Sequence, residues 1–246
     1  MLLYAMADDA ILPISLELTR EAILAGAVRL VAAQIPGMTV LSEAELAASL
    51  AATLAAKRGD GAIWVFGYGS LIWNPAFVHD ETRIGRVQGW HRRFCLWTEM
   101  SRGCPKQPGL TLGLDRGGAC RGVLYRLSAA QAETELSVLW HREMVGGAYA
   151  PRWVRAATAQ GMVDAIAFTI NRTHPRYAGK LDDAEVTRVI ACAVGRLGRC
   201  SDYLFRTVAA LEALGIRDAR LEQLKARVEA AVVMNAASSG HLPERT

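Results

Sequence analysis

Glu143 is the charged residue whose place in the sequence most needs explaining. Helical spacing from Ser128 puts Ala132, Leu136, Leu139 and Trp140 on one apolar stripe. Glu143 comes seven residues after Leu136, four after Leu139 and three after Trp140, so it falls on the same stripe. His141 and Arg142 are expected to project elsewhere. A carboxylate aimed into a core is costly unless it is paired, neutralised or used. Burial raises its pKa, which suits a general acid or base. An ion pair with one of the chain's many arginines accounts for the spacing equally well.

A second candidate is the loop Gly67-Tyr68-Gly69-Ser70-Leu71, which follows an apolar run from Ala62 to Phe66. The run reads as a buried strand. Glycines on both sides of Tyr68 allow unusual backbone angles and close approach of a ligand to the main chain. Successive N–H groups in such a loop can converge on one anion. A tight strand exit with Tyr68 packed in the core has the same composition. Tyr149, just after Gly146-Gly147, and Tyr203, at the start of a later helix, are further candidates.

These groups need a frame. The 246-residue length allows one large domain or a domain with an appendage. A hydrophobic fraction of 52% is enough for a sizeable core and argues against global disorder. Residues 1–60 read as a helical N-terminal extension, either an appendage or an oligomer contact. One helix runs from a Thr19 cap to about Gln34, and a second opens on a Ser42/Glu45 capping box. Residues 61–235 read as the main domain, and 236–246 as a frayed tail. Within the domain, Thr82–Val87 and Arg93–Trp97 read as strands. Thr111–Leu114 and Gly122–Leu127 are expected to flank a hairpin turn at 115–118. Ser128/Gln131 is expected to cap the Glu143 helix. A hairpin around Gln160-Gly161 follows, then helices capped by Asp182, Ser201 and Asp218. The proline-bearing stretch from Arg102 to Gly109 is a candidate lid.

Composition narrows the function classes. Five cysteines with no metal or redox spacing read as reduced thiols in a cytoplasmic protein, with no metal site. No apolar run reaches membrane-spanning length, and Met1–Leu16 lacks a basic leader. The net charge of +4 and the arginine density between Arg83 and Arg121 suit a small anionic substrate. No nucleic-acid motif accompanies that charge.

The ordered motifs carry a resemblance. Phe66-Gly67-Tyr68-Gly69-Ser70-Leu71-Ile72-Trp73-Asn74-Pro75 resembles the opening motif of the ChaC-like γ-glutamylcyclotransferases. Gly89–Phe94, Arg102–Pro105, Gly122–Arg126, Trp140–Met144, Asn171–Gly179 and Cys200–Leu204 extend the likeness in order. It covers roughly Trp64 to Asp218. The resemblance implies an α+β fold, a small mixed β-barrel with surrounding helices, to which the helical N-terminal extension is added. It implies cleavage of γ-glutamyl compounds, chiefly glutathione, into 5-oxoproline and the remaining peptide or amine. It puts the catalytic glutamate at Glu143 and the γ-glutamyl-binding loop at Tyr68, Gly69, Ser70 and Leu71. Arg102 would meet a substrate carboxylate, or else form a salt bridge between strands. Tyr149 and Tyr203 would complete the substrate site. No cofactor or metal is implied. Another γ-glutamyl peptide or γ-glutamylamine as substrate, or a non-catalytic binding module, are the alternatives.

Overall fold

A long two-stranded ribbon organises the chain. In the computed structural model, which describes residues 18–239, β2 (Glu81–Thr98) pairs antiparallel with β3 (Gly109–Leu127) along nearly their whole length. The expected turn at 115–118 is not one. Gly117 and Gly118, both at positive φ, oppose the single Gly89 on β2, also at positive φ. Two residues against one make a bulge, which bends the ribbon without ending it. Both halves of β3 keep β2 as a partner, so no local hairpin is needed to satisfy their backbone. The expected separate strands 82–87 and 93–97 are likewise one strand.

The ribbon closes into a barrel. β1 (Ile63–Gly67) pairs antiparallel with β3, and β4 (Tyr149–Thr158) joins β2 to β5 (Gly161–Ile170). A parallel pairing of β1 with β5 completes the ring. Strand alternation then sends side chains to two separate cores. Phe66, Leu112, Leu114 and Leu124 join one core with the C-terminal helices. Val65, Val123, Ile166 and Phe168 join another with the N-terminal helices.

On that second side, the predicted helix from Thr19 is broken. α1 (Arg20–Leu24) starts at the Thr19 cap and α2 (Ala27–Ala33) starts after Gly26, which takes a left-handed conformation. Gly26 ends one short helix and opens the next. α3 (Glu43–Ala55) has the expected capping box. All three pack near α4 (Ala132–Glu143), whose stripe of Leu136, Leu139 and Trp140 is buried with Ile23 and Leu46. α4 begins later than expected. Ser128 and Gln131 close a backbone turn instead, and Gln131 caps without its side chain.

On the first side, α5 (Asp183–Cys192) has its Asp182 cap. A short ribbon of β6 (Val194–Gly195) and β7 (Gly198–Arg199) leads to α6 (Cys200–Ala213), which starts one residue before Ser201, with Arg199 at the cap position. α7 (Ala219–Ser239) follows, with the backbone N–H of Leu221 bonded to Asp218. The predicted tail at 236–246 is helical to Ser239. Its remainder and Met1–Leu16 lie outside the described residues. No described helix is long and apolar enough to cross a membrane.

Candidate active site

A cavity of about 570 Å³ opens where the end of β1, the end of α4 and the start of α6 meet. Glu143 is in its wall. The last turn of α4 puts the carboxyl there, with 15% of the side chain exposed. Burial raises its pKa above the usual carboxylate range, and Arg142 opposes the rise. Arg142 Nε lies 2.9 Å from Glu143 Oε1. Both readings of the spacing therefore meet in one residue: Glu143 is ion-paired and also faces open space.

Arg142 does not project elsewhere. It is buried, donates to Ser70 Oγ at 3.1 Å, and also donates to the carbonyls of Asn74 and Pro75. One guanidinium thus ties the acid to the loop after β1. A signal was present: Val138 and Leu139, both buried, stand four and three residues before Arg142.

The loop is divided in its roles. Ser70 lines the cavity and starts a 3-10 turn, Ser70–Ile72, in which the Ile72 N–H bonds to the Gly69 carbonyl. The first N–H groups of such a turn have no partner within it. Tyr68 does not reach the cavity with its side chain. Its hydroxyl donates to the Phe168 carbonyl at 2.7 Å, in the core. Its own carbonyl accepts from Arg92 at 2.9 Å, which steadies the loop from behind. The Leu71 side chain is also core, while its carbonyl accepts from the Tyr125 hydroxyl at 2.8 Å. Neither Gly67 nor Gly69 takes a positive φ. Gly69 is needed for room: a Cβ there would stand 2.9 Å from Tyr203 Oη.

Tyr149, Tyr203 and Arg102 all line the cavity. The Tyr149 hydroxyl donates to the Leu112 carbonyl at 2.9 Å. Burial, then the nearby Glu143 charge, pushes both phenols up, Tyr203 to about 12, so both stay protonated. Arg102 is buried and makes no ion pair among the described residues; its contact is the Arg199 carbonyl at 3.4 Å. Among the described residues the salt bridge between strands is absent. Burial, then Arg206, lowers its pKa, with Asp202 opposing. Only the tip of the predicted lid, Pro105 to Gln107, is exposed; Arg102, Gly103 and Gly109 are buried.

Two arginines were not foreseen. Arg206 stands three residues after Tyr203 on α6, so the helix shows both to the same space. Arg176 enters from the segment after β5. Its Nε is buried without a hydrogen-bond partner, and burial lowers its pKa. A Cβ on Gly146 would come within 2.5 Å of Arg176 Nη2, so the glycine leaves it space. No spacing rule points to Arg176. The site therefore holds two carboxylates, Glu143 and Asp202, among the guanidinium groups of Arg102, Arg142, Arg176 and Arg206, of which Arg176 keeps a buried Nε without a partner.

The model of the ChaC-like protein family matches residues 63–231. The chain belongs to that family. It is 42% identical over 195 residues to the glutathione-specific gamma-glutamylcyclotransferase of Escherichia coli, covering 79% of this chain and 84% of that protein. It is 35% identical over 196 residues to glutathione-specific gamma-glutamylcyclotransferase 1 of Mus musculus, covering 76% and 86%. A crystal structure of a gamma-glutamyl cyclotransferase specific to glutathione from yeast superposes with a TM-score of 0.64 at 20% identity, over 70% of this chain and 97% of that one. The last likeness confirms the fold: a mixed barrel with helices around it.

Proposed function

We propose that the chain is a γ-glutamylcyclotransferase that cleaves glutathione to 5-oxoproline and Cys-Gly. The observation that carries this reading is Glu143, held by Arg142 against Ser70 in a cavity otherwise rich in arginine. The family relatives named above share the activity in their names. Glutathione brings one ammonium group and two carboxylates. The acid suits the first and the arginines suit the others.

The reaction is intramolecular. The α-amine nitrogen attacks the γ-carbonyl carbon, a new C–N bond closes the lactam, and the old C–N bond to cysteine breaks. Glu143 takes a proton from the amine and delivers one to the departing cysteine nitrogen. The protein's task is to hold the glutamyl chain folded on itself. The 3-10 turn at Ser70 offers N–H groups to the α-carboxylate or to the developing oxyanion. The protonated Tyr203 hydroxyl can add a donor at the same wall, while Tyr149, its proton held by the Leu112 carbonyl, offers its ring and oxygen lone pairs. Arg102, Arg176 and Arg206 remain for the carboxylates. A cytoplasmic setting, where thiols stay reduced, agrees with five free cysteines.

The test is a product assay. Incubated with glutathione, the protein should release 5-oxoproline and Cys-Gly in equal amounts. Glutathione left intact, while a γ-glutamylamine or another γ-glutamyl peptide is cyclised, would move the substrate assignment. Binding without turnover of any donor would reduce the site to a binding module.

A further inference from the structure

Part of the cavity lining carries a second chemistry. Ala27, Val28 and Val31 of α2 form it, together with Leu18 just before α1. Ala27 and Val31 are four residues apart and Val28 and Val31 three, so they form one helical face. Leu30, on the other face of α2, is 63% exposed. Everything these segments present to the cavity is apolar and uncharged.

The wall is fastened on several sides. Leu18's carbonyl accepts from Asn74 Nδ2 at 3.2 Å, directly behind the Ser70 turn. Arg20 forms a two-pronged ion pair with Glu135 of α4, which is 2% exposed. Gln34, past the end of α2, accepts from Arg196 at 2.7 Å. Leu41 N–H bonds to the Val145 carbonyl at 2.9 Å, two residues beyond Glu143. These ties bring the segment against both the acid and the loop.

We propose that this N-terminal segment is a specificity element, with Ala27, Val28 and Val31 forming the surface that receives the side chain of the donor's second residue. The inference rests on the glutathione-cleaving function proposed above. The γ-glutamyl end belongs between Ser70 and Glu143, and the carboxylates belong with the arginines. The cysteine CH2–SH is the part of the donor left for an apolar, uncharged wall. The width of that wall then sets how large a group the enzyme accepts there.

The experiment measures kcat/KM by 5-oxoproline release for glutathione, S-methylglutathione and S-propylglutathione. Val28→Ala and Val31→Ala widen the wall and should raise the S-propyl-to-glutathione ratio by about tenfold, the worth of a few methyl contacts in an apolar pocket. Ala27→Leu narrows it and should lower the ratio by a similar factor. Ala27 is only half-buried, so the added bulk need not overpack the core. Leu30→Ala, on the outer face, should leave the ratio unchanged. Ratios that stay within about twofold of wild type in all three wall variants, or that move as much in Leu30→Ala, overturn the inference. A wild-type protein that cyclises no donor overturns the proposed function and the inference with it; an active wild type with unmoved ratios overturns the inference alone.

Discussion

Glu143 and Arg142 form a pair in which the guanidinium tempers the acid. Glu143→Gln keeps the shape and removes the titration. Turnover of glutathione should fall by about 10²–10⁴, the usual worth of a placed acid–base group. Binding, read by calorimetry or by thermal shift with glutathione, should largely persist. The raised carboxyl pKa also fixes a pH dependence. The folded state keeps this proton to higher pH than the unfolded chain does. The contribution of Glu143 to stability is therefore complete below the ordinary carboxylate range and is lost as pH rises through the raised value. Thermal scans should show Glu143→Gln gaining on wild type over that rise. Arg142 opposes the shift, so Arg142→Gln should move the acidic limb of the pH–rate profile to higher pH. A limb that stays in place would assign Arg142 to the loop alone.

At the scale of elements, the segment after β5 depends on a buried carboxylate. Asp115 of β3 is 1% exposed and accepts from Arg172 at 2.6 Å, Arg93 at 2.7 Å and the Tyr177 hydroxyl at 2.9 Å. Burial alone would raise its pKa, but those donors outweigh it and the carboxyl titrates below its usual value. Its contribution to stability is present above the ordinary aspartate range and lost as pH falls through the lowered value. Tyr177 follows Arg176 directly, and the Arg176 carbonyl accepts from Trp97 N–H at 2.9 Å. Asp115→Ala should therefore cost about 3–5 kcal/mol in urea unfolding, the range for a broken buried charge cluster. It should also raise the KM for glutathione through Arg176. Gly146→Ala separates the two effects. Its new methyl group meets only the flexible end of Arg176, so stability should hold while KM rises severalfold.

The whole molecule is a barrel held between two helical layers, with the site at their shared edge. Glu135 is central to the N-terminal layer: it binds Arg20 and also accepts from Val78 N–H at 2.9 Å. Glu135→Leu should lower the melting temperature and also reduce kcat/KM, because the wall carried by α1 and α2 loosens with it. A stability loss with unchanged kcat/KM would make the layer a passive cover. Sequence by itself determined what depends on neighbours along the chain. The Ser42/Glu45 capping box, the Asp182 cap, the Gln160-Gly161 hairpin and the inward stripe ending in Glu143 are all settled within a few residues. The ordered motifs carried the family. Tertiary structure decided what depends on residues far apart in sequence. Gly117-Gly118 became a bulge because β2 lay alongside to bond both halves of β3. Tyr68 turned into the core because the Phe168 carbonyl was waiting there. Arg176 joined the site from a segment that no spacing rule names, Arg142's inward spacing became a tie to Ser70 only once the loop after β1 stood beside it, and α2 became a cavity wall only once the barrel did.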